Sequence, residues 1–242
     1  MKFGGSSLAA PSGMRRAGDI IERHAREHQV VVVSASGDVT DRLMRAAQGV
    51  PGWSMREINS FIQELRRLHL DIIEASGRPS TPQYEMLDPL FEHLKLILTG
   101  ISILGELTPR SLDHILSFGE RLSAPLLAYE LSTMVLPTKV LTGGEAGLIT
   151  DSSFGEANPV WRETRRRVRR VLKPLLESNT IPVITGFIGQ TSGGEVTTLG
   201  RGGSDYTATI LADALNADEV WIWTDVDGLM TADPRVVWRT PG

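Results

Sequence analysis

Lys2-Phe3-Gly4-Gly5-Ser6-Ser7 and, further on, Val30-Val31-Val32-Val33 decide how this chain folds. The first stretch is a short strand running straight into a glycine turn, with Pro11 soon after. Beyond the turn Met14, Ala17, Ile21 and Ala25 recur at helical spacing. The valine run is continuous and β-branched, as expected of a parallel strand buried on both faces. Strand, turn, helix and strand in that order make a βαβ unit, and so an α/β protein.

Outward from that unit the middle of the chain is helical. Ile58, Phe61, Ile62, Leu65, Leu68 and Ile72 keep a 3.6-residue period up to Ser76-Gly77. A second stripe, beyond Pro79 and Pro82, runs through Leu87, Leu90, Phe91, Leu94, Ile97, Ile101 and Leu104. A third helix opens at Thr108-Pro109, with proline in the first turn. It carries Leu112, Ile115 and Leu116, and Pro125 is expected to kink or restart it. Strands are predicted at 134–136, 181–185, 196–199 and 220–223, a loop at 142–158 and a helix at 204–215. The helix between places Trp161, Thr164, Val168, Val171, Leu172 and Leu175 on one face. With no repeat or linker, one domain over 1–242 is expected.

Composition narrows the chemistry. The 242 residues carry a formal charge of −4 and no cysteine. A thiolate nucleophile, a Cys-ligated zinc and a disulfide framework are therefore excluded. Mild acidity argues against general nucleic-acid binding, and the apolar runs are too short to span a membrane. The N-terminus, with glycines where an apolar core would begin, does not read as a signal peptide, so a cytoplasmic protein is expected. There are only four lysines, Lys2, Lys95, Lys139 and Lys173, and Lys2 alone adjoins a glycine turn.

Three glycine-rich segments follow strands: residues 2–7, 186–189 and 199–205. In open α/β sheets ligands lie beyond the carboxyl ends of the strands, where glycine lets backbone N–H groups approach an anion. A tight turn is the plain alternative for any one of them. Two carry suitable charges, Lys2 in one and Arg201 with Asp205 in the other. Neither a P-loop nor a spaced G-x-G-x-x-G is present.

Five motifs in order, Lys2-Phe-Gly-Gly-Ser-Ser7, Val33-Ser-Ala-Ser-Gly37 with Thr40, Ser117-Phe-Gly-Glu-Arg-Leu-Ser123, Gly200-Arg-Gly-Gly-Ser-Asp205 and Thr224-Asp-Val-Asp-Gly228 with Asp233-Pro-Arg235, resemble those of aspartate kinases, members of the amino-acid kinase family. The helical insertion near 55–106 is similar to theirs as well. The resemblance implies a three-layer αβα sandwich with a mostly parallel sheet. Residues of about 1–180 would form an aspartate- and phosphate-binding half, and about 181–242 part of a nucleotide-binding half. It implies ATP-dependent phosphorylation of the side-chain carboxylate of L-aspartate, the first step toward lysine, threonine and methionine. The implied partners are L-aspartate and MgATP, with Mg²⁺ held mainly by the nucleotide phosphates, in a homo-oligomer, a dimer.

The same resemblance implies the roles. Lys2 would reach the γ-phosphate, and Gly4, Gly5 and Ser6 would donate to the phosphates. Asp205 would hold Lys2; read alone, it is a helix-start carboxylate favoured by the dipole. Glu120 would take the substrate ammonium and Arg201 a carboxylate, with Thr40 and Ser204 adding hydrogen bonds. From the residues alone Glu120 reads as a solvated helix position paired with Arg121 or a residue one turn away. Thr224, Asp225 and Arg235 would line the nucleotide site. The chain departs from the pattern at Ser6, where Thr is common, at Met230, where Tyr often stands, and in its very short first strand. It stops before the family's paired ACT domains, so neither lysine nor threonine feedback is expected within it, and nucleotide binding is expected to be weakened. A relative acting on another acceptor, or a non-catalytic homologue that binds ligand or a full-length partner, are the other readings.

The remaining features read as structure. The run Arg162, Arg165, Arg166, Arg167, Arg169 and Arg170 is a solvated helix face. His24 and His28 lack a metal motif around them, and Trp221 and Trp223 share one strand face for packing or an interface.

Overall fold

The βαβ unit forms as the sequence predicts. In the computed structural model, which describes residues 1–25, 28–75 and 81–224, β1 (Lys2–Phe3) pairs in parallel with β2 (Val31–Val33). The short α1 (Gly5–Leu8) and then α2 (Pro11–Arg23) make the crossover. Valine after valine suits β2 because both faces are covered. Val31 and Val33 enter a large core with Phe3, Met14, Ile21 and Leu127, while Val32 enters a second core with Ile184, Val168, Leu172 and Leu211.

The chain continues through α3 (Val39–Gly49), a 3₁₀ turn (Val50–Gly52), α4 (Met55–Ala75), α5 (Thr81–Leu104), α6 (Pro109–Leu116) and α7 (Phe118–Thr133). After these come β3 (Thr138–Leu141), β4 (Ile149–Thr150), α8 (Trp161–Glu177), β5 (Ile181–Thr185), β6 (Ile188–Thr191), β7 (Val196–Thr198), α9 (Gly203–Leu215) and β8 (Ile222–Trp223). Five strands form a wholly parallel sheet in the order β3-β5-β2-β1-β8. A smaller sheet, β4-β6-β7, is mixed. Helices α2 and α7 belong to the core on one face of the main sheet, and α8 and α9 to that on the other. This is the expected mostly parallel three-layer arrangement.

Several elements differ from expectation. The strand predicted at 134–136 begins instead at Thr138. Val135 sits at φ 61° in the turn that ends α7, and Pro137 follows, so extended pairing starts only beyond it. The helical break comes at Ser117, not at Pro125: α7 runs through its proline, with most of the helix buried around it. That burial outweighs the roughly 3 kcal/mol that an interior proline costs. The predicted loop at 142–158 contains β4, and β6 follows the 186–187 turn. Trp161 is exposed rather than packed, under the Arg165 guanidinium.

The arginine run is only partly a solvated face. Arg166 and Arg167 pair locally with Glu163. Arg165, however, forks onto Asp213 (2.7 and 3.2 Å), and Arg169 donates to the Ala214 carbonyl and the Asn216 side chain. Those two tie α8 to the carboxyl end of α9, where cations satisfy otherwise unpaired carbonyls.

Candidate active site

The site is built at the carboxyl ends of the central strands, by loops stitched together through their backbones. Gly4 N–H donates to Trp223 O, Ser34 N–H to Phe3 O, Gly37 N–H to Gly5 O, and Gly186 N–H to Val33 O. The turns after β1, β2 and β5 therefore close on one another. Gly5 is required by contact: a Cβ there would lie 2.6 Å from the Ala35 carbonyl oxygen.

Lys2 is the first residue of β1, between β2 and β8 in the main sheet. Although its side chain is largely buried, Nζ reaches Asp205 Oδ1 at 2.7 Å. Asp205 stands in the first turn of α9, which opens at Gly202 (φ 73°) after the turn bearing Arg201. The ammonium lies over Gly4, since a Cβ there would approach Nζ to 3.6 Å. Gly4 thus lies against a cation steadied by one carboxylate, at the start of the glycine turn that Gly5 and Ser6 continue. A phosphoryl group is the ligand such a turn suits.

Glu120 corrects the reading from its residues alone. It is not a solvated partner of Arg121 but fully enclosed, 3% exposed, in the first turn of α7. Its Oε1 accepts the Ala35 N–H at 3.1 Å, and Oε2 has no hydrogen-bond partner. Burial pushes its pKa up to about 8. Arg121 turns away to stack on Phe118, 4.4 Å from the ring centre. Gly119 lets α7 sit against the β2 loop: a Cβ there would lie 2.7 Å from Ala35 Cβ and 3.5 Å from Thr40 Oγ1. Thr40 is therefore beside the turn that carries Glu120. Ser123 adds a second clamp, donating to Ser34 O at 2.7 Å.

Ser204 is buried and abuts Gly186, whereas Arg201 is exposed on the turn before α9. Thr224, at the end of β8, is exposed. Asp225 and Arg235, with Met230, lie outside the described residues. The structure thus brings Lys2, Gly4, Gly5, Ser6 and Asp205 together, and Thr40 with Glu120.

Sequence reasoning missed Phe187. It adopts a left-handed backbone (φ 65°), donates its N–H to Thr207 Oγ1 at 3.0 Å and accepts from Leu199 N–H at 2.9 Å. Its ring lies against Gly203, so it locks the 186–187 turn to the start of α9. Its one outward sign is a bulky residue inside a glycine-flanked turn, where strain of this kind clusters at functional sites. The clamping residues Ala35 and Ser123 left no sign, because one acts through its backbone and the other looks like any helical serine.

Glycine turns at the strand ends, a cation held by a helix-start carboxylate and a buried acid nearby define an α/β protein that receives its ligand beyond its strands. The family follows from comparison: the model of the amino acid kinase family matches residues 1–239, and the chain belongs to that family. It is 36% identical to aspartokinase 1, chloroplastic, of Arabidopsis thaliana over 99% of this chain and 42% of that protein. With lysine-sensitive aspartokinase 3 of Escherichia coli K12 the identity is 34%, over 98% and 51%. The solved structure of E. coli aspartokinase III in complex with aspartate and ADP superimposes with a TM-score of 0.87 at 33% identity, covering 98% of this chain and 51% of that one. The chain spans about half or less of the length of these relatives. Among the described residues no helix is long and apolar enough to cross a membrane.

Proposed function

We propose that this chain carries the phosphoryl-transfer site of an aspartate kinase: ATP and L-aspartate give ADP and 4-phospho-L-aspartate. The observation that supports it most is Glu120, a buried carboxylate with one oxygen held by Ala35 and the other unpartnered. A buried acid of this kind is costly unless a cation or hydrogen-bond donor completes it, and an α-ammonium does so. The aspartokinase III structure bound to aspartate and ADP supports the same substrate pair.

On this reading Glu120 takes the ammonium, while Thr40 and Ser204 add hydrogen bonds. Arg201 takes a carboxylate through its planar fork. Lys2, held by Asp205, meets the γ-phosphate, with Gly4, Gly5 and Ser6 donating around it. An oxygen of the substrate's side-chain carboxylate attacks the γ-phosphorus in line. The bond from that phosphorus to the bridging oxygen breaks, the oxygen leaves with ADP, and no covalent enzyme intermediate forms. Lys2 stabilises the charge spread over the transferred phosphoryl oxygens. Thr224, Asp225 and Arg235 line the nucleotide. Mg²⁺ would be held mainly through the nucleotide phosphates and would offset their charge during transfer, while Asp205 stays paired with Lys2. Residues of about 1–180 supply the larger part of the acceptor and phosphate half, and the nucleotide half begins near 181.

Steady-state assays with a panel of amino-acid acceptors test this, joined by Lys2→Ala and Asp205→Ala. Both substitutions should reduce kcat by about a hundredfold or more while leaving the far-UV circular dichroism unchanged. Full activity in either variant, or preference for another acceptor over aspartate, would overturn it.

A further inference from the structure

Asp113 lies outside the site and is completely buried, at 0% exposure, in α6. Its carboxylate is nonetheless fully engaged. Oδ2 accepts the Gly155 N–H at 3.0 Å and the Thr198 N–H at 2.9 Å, and Oδ1 accepts the Thr198 hydroxyl at 2.8 Å. Burial pushes its pKa up against the pull of these bonds. A buried acid is an expensive way to join a helix to a strand, since a well-packed apolar contact serves stability as well. What apolar contact cannot do is set direction and spacing.

The elements it joins are those that carry the two ends of the acceptor site. On one side, Asp113 O accepts the Ser117 N–H at 3.0 Å, and Ser117 opens the turn of α7 that presents Glu120. On the other, Thr198 ends β7, directly before the turn holding Arg201, Ser204 and Asp205. The third arm, through Gly155, fixes a loop that backs that turn: Ala157 N–H donates to Thr198 O at 2.9 Å, and a Cβ on Gly200 would lie 3.4 Å from Gly155 O.

We propose that Asp113 is a positioning residue for the amino-acid acceptor, setting the separation of Glu120 from Arg201 and Ser204 through its three bonds to Gly155 and Thr198. The proposal rests on the acceptor roles given above. Asp113 touches neither reacting group, so its loss moves one recognition element relative to the other.

The test separates the two substrates. Asp113→Asn keeps the shape but turns an N–H group toward amide donors. It should raise the KM for aspartate about tenfold, the equivalent of one charge-assisted bond, while the KM for MgATP stays within about twofold. Thr198→Val removes only the hydroxyl arm and leaves Asp113 on its two amides; a rise of about threefold in aspartate KM is expected, with Thr198→Ser restoring it. Because the valine variant keeps both amide bonds to Oδ2 and removes only the hydroxyl bond to Oδ1, it serves if the asparagine variant does not fold. Unchanged aspartate KM in the folded variants, equal rises for both substrates, or a kcat loss that merely follows the melting temperature would overturn the proposal. Wild type that neither binds nor phosphorylates aspartate would end the underlying reading and this inference with it. Wild type that does both, beside indifferent variants, would end this inference alone.

Discussion

Glu120 is where a single residue sets the pH behaviour of the site. Its ordinary pKa of 4.5 is raised to about 8 in the folded chain. Between those values the unfolded chain has released its proton and the native one has not. Its contribution to stability is therefore complete below about pH 4.5, declines as pH rises and is gone above about pH 8. Glu120→Gln, neutral at every pH, should remove that slope, so the variant gains on wild type in urea titrations between pH 5 and 8. Substrate binding runs the other way: an ammonium favours the carboxylate, so aspartate affinity should increase toward pH 8 and binding near pH 7 should release up to about one proton. Calorimetry in two buffers of different ionisation heat reads this directly, and a heat independent of buffer would contradict it. From sequence the type and position of Glu120 were legible, but only by resemblance. Its burial was not, because burial is made by Gly119, Ala35 and the β2 loop, none of which lies on the same helical face in a linear reading.

At the scale of elements, the paired helices α4 and α5 show how a buried histidine limits acid tolerance. His69 is enclosed, its Nδ1 2.8 Å from Leu65 O and its ring edge-on to Phe91, and burial lowers its pKa from 6.5 to about 4. Here the folded state resists the proton. Stability from this site is present above about pH 6.5 and is lost as pH falls toward 4. Since Glu120 tilts stability the other way across this window, the variant is compared with wild type at each pH: His69→Leu should raise the urea midpoint at pH 5 relative to that at pH 7. His93 and His114, lowered in the same direction, keep their own share of the acid sensitivity. An unchanged difference between the two midpoints would show that His69 is not a source of it. Both helices could be read in advance because their stripes obey a single period. The elements that were misplaced obey none: β3 and β4 are short, and their positions follow from the left-handed Val135, Pro137 and pairing with β5 and β6. Tertiary pairing decides where such strands start, and no window of sequence contains it.

Across the whole molecule, the order of motifs along the chain could be read as the plan of a site because, among the described residues, the first four fall at strand ends or helix starts of the parallel fold. The hydrogen bonds that draw those ends together were beyond it. They join residues far apart: Ala35 to Glu120, Ser34 to Ser123, Asp113 to Thr198. With the proposed acceptor roles, the same dispersion would make the acceptor a fastener for the fold. A ligand held by Thr40, Glu120, Arg201 and Ser204 bridges α3, α7 and the turn into α9, whose helices belong to cores on opposite faces of the sheet. Unfolding any of them releases it, so its binding energy is felt by the global transition. At about a hundred times its dissociation constant, aspartate should add about 2.7 kcal/mol, which for a chain of this size raises Tm by roughly 5–10 °C. Glu120→Gln should abolish that rise while leaving the ligand-free Tm at pH 7 no lower than wild type, because the variant discards a buried ionisable group and keeps the shape. Scanning calorimetry of both proteins, with and without aspartate, decides it: an equal rise in the variant would remove Glu120 from the acceptor site, and a lowered ligand-free Tm would make it a structural residue.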